Sequence, residues 1–218
     1  MAELPLFPLN TVLFPGTPIT LHIFEPRYKR MFTHCIDNEE PFGVVLIKSG
    51  TEALGPLAEP HEIGCSARLT FVEKLTDERM NVVAVGEDRF RILSSWQEDD
   101  YMMGEVEMLP LEREPSEELV AAKRDLDPWV ARYLRILTDA NLVRSDISKL
   151  PSDPLDFVYL AAYLLQTPSG QKQTLLENSY GTELIDEVRT IYRKEVALLS
   201  NLIDAEPTKD EDEISSLN

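Results

Sequence analysis

The first half of the chain alternates hydrophobic and polar residues with a period of two, which is typical of β-strands. Short runs rich in β-branched residues recur up to about Leu111. The strands predicted after the opening segment are Phe42–Ile47, Ile63–Val72, Met80–Val85, Arg89–Leu93 and Met102–Leu109. Residues 76–79 are expected to join two of these strands as a hairpin. This pattern predicts a closed or nearly closed β-barrel.

One stretch in this half follows a different period. Residues 26–36 carry apolar side chains at helical spacing, namely Tyr28, Met31, Phe32 and Cys35. Pro26 suits the first turn of a helix, because the N–H that proline lacks has no intrahelical partner there. We therefore expect one helix inserted between strands of the barrel.

Prolines interrupt the apolar segment that opens the chain, residues 4–16. Pro5, Pro8 and Pro15 exclude a helix, and proline also lacks the N–H that a central strand donates to its ladder. We expect an edge strand here, bulged or irregular, whose apolar side chains are partly covered by the barrel. Such an edge is also open to pairing with another chain.

After residues 112–115 the hydrophobic period changes to 3.6, which predicts a small bundle of helices. Ser116 is the predicted cap of the first helix, and Pro128 predicts a kink or a break near Asp127. Three more helices are expected: one capped by Asp153 and running through Leu165, a short one capped by Thr167, with Pro168 in its first turn, to about Asn178, and a long one from Thr182.

The change of period divides the chain into three parts. We predict a β-barrel domain at residues 1–113, a helical bundle domain at 114–203 and an acidic disordered tail at 204–218. The predicted fold class is α+β, with an N-terminal, mostly antiparallel β pseudobarrel that contains one inserted helix, followed by a C-terminal α-helical bundle.

The charge of the chain narrows its possible partners. It has 39 acidic and 21 basic residues, a formal net charge of −18 that is spread over both halves. Phosphate backbones are bound by clustered Lys and Arg, so nucleic acid and anionic membranes are not expected partners, with Arg27, Lys29 and Arg30 as the one local exception. The longest apolar run, 157–165, is about half of the ~20 residues that a membrane helix needs. Two cysteines and no recognisable signal peptide predict a reduced, cytoplasmic protein.

The residue types that carry chemistry form no known motif. His34, Cys35, His61 and Cys65 are zinc-ligand types, but neither pair has the spacing of a structural zinc site. The chain also lacks a Gly-x-Ser-x-Gly elbow and a Gly-x4-Gly-Lys-Ser/Thr loop, so neither a hydrolase nor an ATPase is indicated. We expect no catalytic residue, no metal and no cofactor; an enzyme with an unrecognised site is the open alternative.

Residues 24–28 combine two aromatic side chains with opposite charges at a predicted strand-to-helix junction. The first interpretation is structural: Glu25 caps the helix or pairs with Arg27, while Phe24 and Tyr28 fill the end of the barrel. The second interpretation is a binding site. Residues 86–90 are interpreted in the same order, as a charged turn first and a binding rim second.

Taken together, these segments resemble the Lon protease amino-terminal domain family. The motifs that carry the resemblance are Pro5-Leu6-Phe7-Pro8-Leu9-Asn10, Val12-Leu13-Phe14-Pro15-Gly16, Leu21-His22-Ile23-Phe24-Glu25-Pro26-Arg27-Tyr28, Phe42-Gly43-Val44, Gly64-Cys65-Ser66-Ala67 and Gly86-x-x-Arg89-Phe90. The match covers most of residues 3–112, and the helices that follow resemble those after the barrel in that family. Cys65 departs from the threonine that is usual there, but keeps a small side chain.

The resemblance implies a pseudobarrel of the PUA-like kind followed by helices, and a role in recognising protein substrates. In the complete protease this domain is joined to an ATPase and a peptidase. Neither resembles any part of this chain, so the resemblance implies a stand-alone binding domain rather than a protease.

The predicted function is therefore a non-enzymatic module that binds unfolded or extended protein segments. We expect the binding residues to be Phe7, Phe14, Phe24, Tyr28 and Arg89, in which the aromatic rings supply contact area and the guanidinium a polar anchor. A PUA-like barrel that binds a small molecule or RNA is the alternative.

Overall fold

Six strands form one mixed sheet at the start of the chain. The computed structural model describes residues 2–51, 58–98, 100–112, 114–140 and 150–205. The strands within these ranges are β1 (Ala2–Leu9), β2 (Pro18–Ile23), β3 (Phe42–Ser49), β4 (Glu59–Lys74), β5 (Met80–Glu98) and β6 (Tyr101–Met108). β1 and β3 run parallel, whereas the other paired strands are antiparallel. This arrangement, with the helices that follow it, confirms the predicted α+β class.

Five of the strands close into a ring, and β2 lies outside it. The order in the sheet is β2-β5-β4-β3-β1-β6, and β5 pairs with β6 as well. The long β5 makes this possible, because residues 80–85 pair with β2 while residues 90–98 pair with β6. Among the described strands, β2 therefore has one partner, β5.

β1 lies inside the sheet, so the prediction of an edge strand at this segment is wrong. Residues 2–6 pair with β6, and residues 6–9 pair with β3. Each half of β1 thus has a partner strand on one side. Among the described strands, Pro5 and Pro8 each lie in a half with one partner strand, and a proline is tolerated there because one side of the backbone carries no ladder bond.

β5 passes continuously through residues 86–90, so the predictions of a turn there and of a separate strand at 89–93 are wrong. Gly86 does not form a turn; it allows the backbone of β5 to lie close to the backbone of the segment after β1. A Cβ at Gly86 would meet the carbonyl oxygen of Phe14 well inside contact distance. The Gly16 N–H donates to the Gly86 oxygen at 2.9 Å, and the Gly86 N–H donates to the Thr17 oxygen at 3.0 Å. These bonds hold the segment after β1 against β5.

The helix α1 (Pro26–Asn38) covers one end of the barrel, which confirms the helix expected from the apolar spacing. Its buried residues are Tyr28, Met31, Phe32 and Cys35. The Phe32 ring lies edge-on to Phe7 at 5.4 Å and to Phe42 at 4.9 Å between centroids. Burial of these rings attaches the helix to the inside of β1 and β3.

The described residues of the second half form α2 (Ser116–Asp139), α3 (Pro154–Leu164), α4 (Ser169–Glu177) and α5 (Gly181–Ala205). The predicted helical bundle is therefore confirmed. α2 continues through Pro128, so the predicted break is wrong. Leu126 and Val130 on either side of the proline are fully buried, and their packing holds the helix together although one backbone hydrogen bond is missing.

The first residues of the helices agree with the sequence predictions only in part. Asp153 caps α3 as predicted, since its carboxylate accepts from the N–H groups of Leu155 at 2.9 Å and Asp156 at 3.0 Å. Ser116 does not cap α2 and is instead its first residue. Thr167 does not cap α4, which has Pro168 at the cap position and no side-chain cap.

α5 receives its cap from a residue far away in the sequence. The Glu114 carboxylate accepts hydrogen bonds from the backbone N–H groups of Gly181 and Thr182 and from the Thr182 hydroxyl. A carboxylate at a helix N-terminus also interacts favourably with the helix dipole. The link between barrel and bundle is thus fixed onto the start of the last helix.

Barrel and bundle share a hydrophobic core where they meet. Val12, Phe14 and Leu46 of the barrel belong to the same buried cluster as the helices, and the Phe14 ring lies 6.3 Å from the Tyr159 ring. The division of the chain at residues 113 and 114 stays a prediction. The predicted tail lies outside the described residues from position 206 onward.

Candidate functional site

Two strand edges face each other at one place in the barrel, which we name the β1–β2 seam. β2 has β5 on one side, and residues 7–9 of β1 have β3 on one side; in the described chain no strand pairs with the other side of either. A cavity of about 210 Å³ lies between them. The residues that line it are Phe7, Leu9, Thr20, Leu21, His22, Ile23, Phe24, Glu25 and Tyr28.

Successive side chains of β2 point to opposite sides of the strand, and this alternation determines which of them face the barrel core and which are exposed. Ile19, Leu21 and Ile23 point toward the barrel core, whereas Thr20 and His22 are exposed. His22 Nδ1 lies 2.8 Å from Asn81 Oδ1 on the neighbouring β5. The outer face of β2 is thus polar and held from the β5 side, while the opposite backbone edge faces the seam.

Phe24 follows the last residue of β2 and is 45% exposed. Its ring stacks on the His22 ring, with centroids 6.0 Å apart and planes 25° from parallel. The chain then turns into α1 through the buried Glu25, so Phe24 is held between a strand end and a helix start. The exposed part of the ring is therefore accessible at the cavity.

Phe7 and Tyr28 form the floor of the seam. Their rings meet edge-on at 4.5 Å, and both side chains are buried. The Arg27 guanidinium lies 4.7 Å from the centre of the Tyr28 ring and forms an ion pair with Glu25 at 3.0 Å. The structural interpretation of residues 24–28 is therefore confirmed for the Glu25–Arg27 pair and for Tyr28. It is wrong for Phe24, whose ring is half exposed instead of filling the barrel.

The other two predicted site residues lie elsewhere. Phe14 is fully buried where the barrel meets the helices. Arg89 is 3% exposed and donates hydrogen bonds to the carbonyl oxygens of Leu176 and Asn178 at the end of α4. The structure thus brings Phe7, Phe24 and Tyr28 together around one cavity and separates Phe14 and Arg89 from them. A binding role for these five residues stays a prediction.

The sequence pattern did not indicate that β2 would line the candidate site. Leu9, Leu21 and His22 line the seam, but none was singled out as a site residue. The alternation of residues 18–23 was a readable signal for a strand. The sequence pattern did not indicate that this short strand would end the sheet, or that residues 7–9 of β1 would face it across the seam.

The two cysteine thiols are unsuited to nucleophilic chemistry in this structure. Cys35 and Cys65 are both buried. Burial raises the pKa of Cys35 from 9.0 to about 12, and burial also raises the pKa of Cys65. A thiol that stays protonated is a poor nucleophile and a poor metal ligand. Within the ranges that the structure describes, no group of three or more His, Cys, Asp and Glu side chains is placed to hold a metal ion.

None of the helices in the described ranges has the length and apolar character that a membrane crossing requires.

Comparison with known families identifies a match over most of the chain. The family model of the substrate-binding domain of ATP-dependent protease La (LON) matches residues 3–191. Among curated proteins, the Lon protease of Anaeromyxobacter dehalogenans is 23% identical over 211 residues, which are 94% of this chain and 25% of that protein. Lon protease 2 of Sorangium cellulosum is 27% identical over 182 residues, 80% of this chain and 22% of its own length. The chain spans about a quarter of the length of these relatives.

Solved structures share the same fold. The crystal structure of a Lon N-terminal domain protein from Xanthomonas campestris is 25% identical, with a TM-score of 0.65 over 86% of this chain and 97% of that one. The N-terminal domain of the Mycobacterium avium complex Lon protease has a TM-score of 0.64 at 16% identity, over 90% of this chain and 98% of that one. The resemblance stated from the sequence motifs is therefore confirmed, and so is the combination of a barrel with helices.

Proposed function

Because this chain belongs to the LON substrate-binding domain family, we propose that it recognises protein substrates as extended segments, and that it binds them at the β1–β2 seam. The observation that carries the proposal is that, among the described strands, one edge of β2 has no partner and lies beside a cavity lined in part by Phe7, Leu9 and Tyr28, next to the exposed ring of Phe24.

The backbone supplies the general part of the recognition. A strand edge presents a row of N–H and C=O groups, and an extended peptide can add to it as a further strand. These bonds are independent of the peptide sequence, which suits a protein that binds many different unfolded chains. The short length of β2, six residues, limits the paired segment to a few residues of the substrate.

The cavity supplies the selective part. Its volume of about 210 Å³ is below the roughly 300–1,000 Å³ of a pocket for a drug-sized ligand. It suits one large apolar side chain, which would contact Phe7, Tyr28 and Phe24. Segments with an isolated aromatic or aliphatic residue, such as those that unfolded proteins expose, are the expected substrates.

Charge influences which segments approach. The ionisable residue buried at the seam, Glu25, is paired with Arg27, so the seam itself adds little net charge. The whole chain carries −18, and the resulting field favours basic or neutral substrates over acidic ones. A high net charge also keeps a protein soluble when its partners are not.

We also propose that the chain binds substrates without cleaving them. Both thiols are buried, and the His22 ring at the seam is held by Asn81 on β5, with Nδ1 2.8 Å from Oδ1. The fate of a bound segment then depends on other proteins or on release.

Binding of a fluorescently labelled unfolded protein to the full chain tests the proposal. Phe24→Ala is expected to weaken binding by about 5- to 30-fold, the effect of losing about 1–2 kcal/mol at a contact residue. Phe71→Ala is the matched control, because Phe71 is another exposed aromatic residue, at 57%, and lies on β4 away from the seam. Equal affinities of the two variants would overturn the assignment of the seam.

A further inference from the structure

A groove between α2 and α5 concentrates positive charge on an acidic protein. It has a volume of about 600 Å³ and carries Arg132, Arg193 and Lys194 around the ring of Trp129. We name these four residues the cationic groove. The Arg193 guanidinium lies 5.5 Å from the centre of the Trp129 ring, and Val196 and Ala197 form an apolar part of the lining.

Within the described ranges the three cations of the groove have no acidic partner, unlike their neighbours on the same two helices. Lys123 pairs with Asp127 at 2.8 Å, and Arg189 pairs with Asp125 and Asp186. In the described part of the chain, no ion pair includes Arg132, Arg193 or Lys194. Three unpaired cations beside a tryptophan are suited to an acidic peptide, whose carboxylates they can bind while its apolar atoms contact the ring.

The chain contains an acidic segment directly after α5. Residues 206–213 include five carboxylates, Glu206, Asp210, Glu211, Asp212 and Glu213, and one lysine, Lys209. On a chain of net charge −18 these carboxylates are repelled by most of the surface. The positive side chains of the cationic groove attract these carboxylates instead.

The distances fit a segment that folds back along its own helix. Arg193 and Lys194 lie 11 to 12 residues before the end of α5 at Ala205, which is about 17 Å at 1.5 Å per residue. Asp210 follows Ala205 by five residues, and an extended chain spans about 17 Å over that length. An extended segment from Ala205 is therefore long enough to bring the block 210–213 to Arg193 and Lys194.

We propose that residues 206–213 bind in cis to the cationic groove, with the carboxylates of 210–213 on Arg193, Lys194 and Arg132. The groove is then a docking site for acidic peptides that the protein's own segment occupies. Because the segment is tethered, its effective concentration at the groove is of millimolar order, so weak contacts suffice to hold it. The inference is independent of substrate binding at the β1–β2 seam.

Acrylamide quenching of Trp129 fluorescence tests the proposal on the full chain. Trp96→Phe makes Trp129 the one tryptophan of the protein. In that background, Asp210→Asn, Glu211→Gln, Asp212→Asn and Glu213→Gln together are expected to raise the quenching constant about two-fold, because the neutral segment leaves the groove. Salt at about 1 M, where the Debye length is about 3 Å, is expected to raise it to the same value.

A matched control removes four carboxylates elsewhere. Glu3→Gln, Asp37→Asn, Glu62→Gln and Glu107→Gln change the net charge equally at exposed positions of the barrel and are expected to leave the quenching constant unchanged. A free peptide of residues 206–213 is expected to restore protection of Trp129 in the neutralised variant. If neutralisation of 210–213 has no effect, or if protection in the unmodified chain is lost on dilution and thus comes from a second copy, the proposal is overturned.

Discussion

The Arg89 guanidinium on β5 donates a hydrogen bond of 2.6 Å from Nη1 to the carbonyl oxygen of Leu176 on α4. The same nitrogen donates to the carbonyl oxygen of Asn178, one residue after the helix. Carbonyl groups at a helix C-terminus have no intrahelical partner, and a cation there interacts favourably with the helix dipole. A buried arginine thus connects the barrel to the bundle through the backbone of the helix end.

Arg89→Met is expected to destabilise the protein by about 2–4 kcal/mol, because the carbonyls of Leu176 and Asn178 lose their donor in a buried place. Urea unfolding followed by circular dichroism measures this. Arg91→Met is the control: Arg91 is the neighbouring arginine of β5 and is exposed, so a change within about 0.5 kcal/mol is expected. Equal losses in the two variants would mean that the contact with α4 contributes little.

Gly86→Ala is expected to lower the free energy of unfolding by about 1–3 kcal/mol or more, because the new methyl group meets the backbone of Phe14, which cannot move without breaking the bonds of Gly16 and Thr17 to Gly86. Gly170→Ala provides the comparison, since nothing lies within 4 Å of a Cβ at that position in α4. There alanine is expected to stabilise the protein by up to about 1 kcal/mol. Thermal unfolding of both variants checks that the first lowers and the second raises the stability of the protein.

The sequence was sufficient for the elements whose side chains alone determine their structure. α1 was predicted within two residues of its observed end, since Pro26 fixes its start and four buried side chains share one face. Asp153 was likewise predicted correctly as a cap, because a cap needs residues that are near in sequence.

Features that depend on distant partners could not be predicted. Pro5 and Pro8 indicated an edge strand, but the staggered pairing of β1 with β6 and β3 is a property of ring closure that no local pattern contains. Gly86 indicated a turn, whereas its role is set by the backbone of Phe14, 72 positions earlier in the numbering. For the same reason, the open edge was expected at β1 alone, whereas the strand at the end of the sheet is β2 and residues 7–9 of β1 face it.

Buried ionisable groups predict a loss of stability at alkaline pH. Burial raises the pKa of the Cys35 thiol from 9.0 to about 12 and that of the Tyr159 hydroxyl from 10.0 to about 12. The unfolded chain therefore loses these protons first as the pH rises. Stability from these groups is fully present below about pH 9 and is lost between pH 9 and 12, by up to about 1.4 kcal/mol per pH unit for each group.

The midpoint of urea unfolding, measured from pH 7 to 11, checks this. It is expected to stay level up to about pH 8.5 and then to decrease. Cys35→Ala lowers stability at every pH by leaving a cavity, but its decrease between pH 9 and 11 is expected to be shallower because one titrating group is gone. Parallel curves for the two proteins would show that the Cys35 thiol does not ionise preferentially in the unfolded chain.

Pairing of an extended substrate with the open edge of β2 is measured by amide hydrogen exchange in residues 18–23. The full chain is compared with and without a saturating amount of a reduced, carbamidomethylated and therefore permanently unfolded protein, whose blocked cysteines carry no charge. Pro18 has no amide hydrogen; among residues 19–23, the N–H groups that point to the open edge are expected to exchange about ten-fold more slowly or more, the effect of new hydrogen bonds on an exposed strand edge. Residues 43–46 of β3, which already pair with β1 and β4, are expected to be unchanged. Binding of the unfolded protein with no slowing at residues 18–23 would contradict the account.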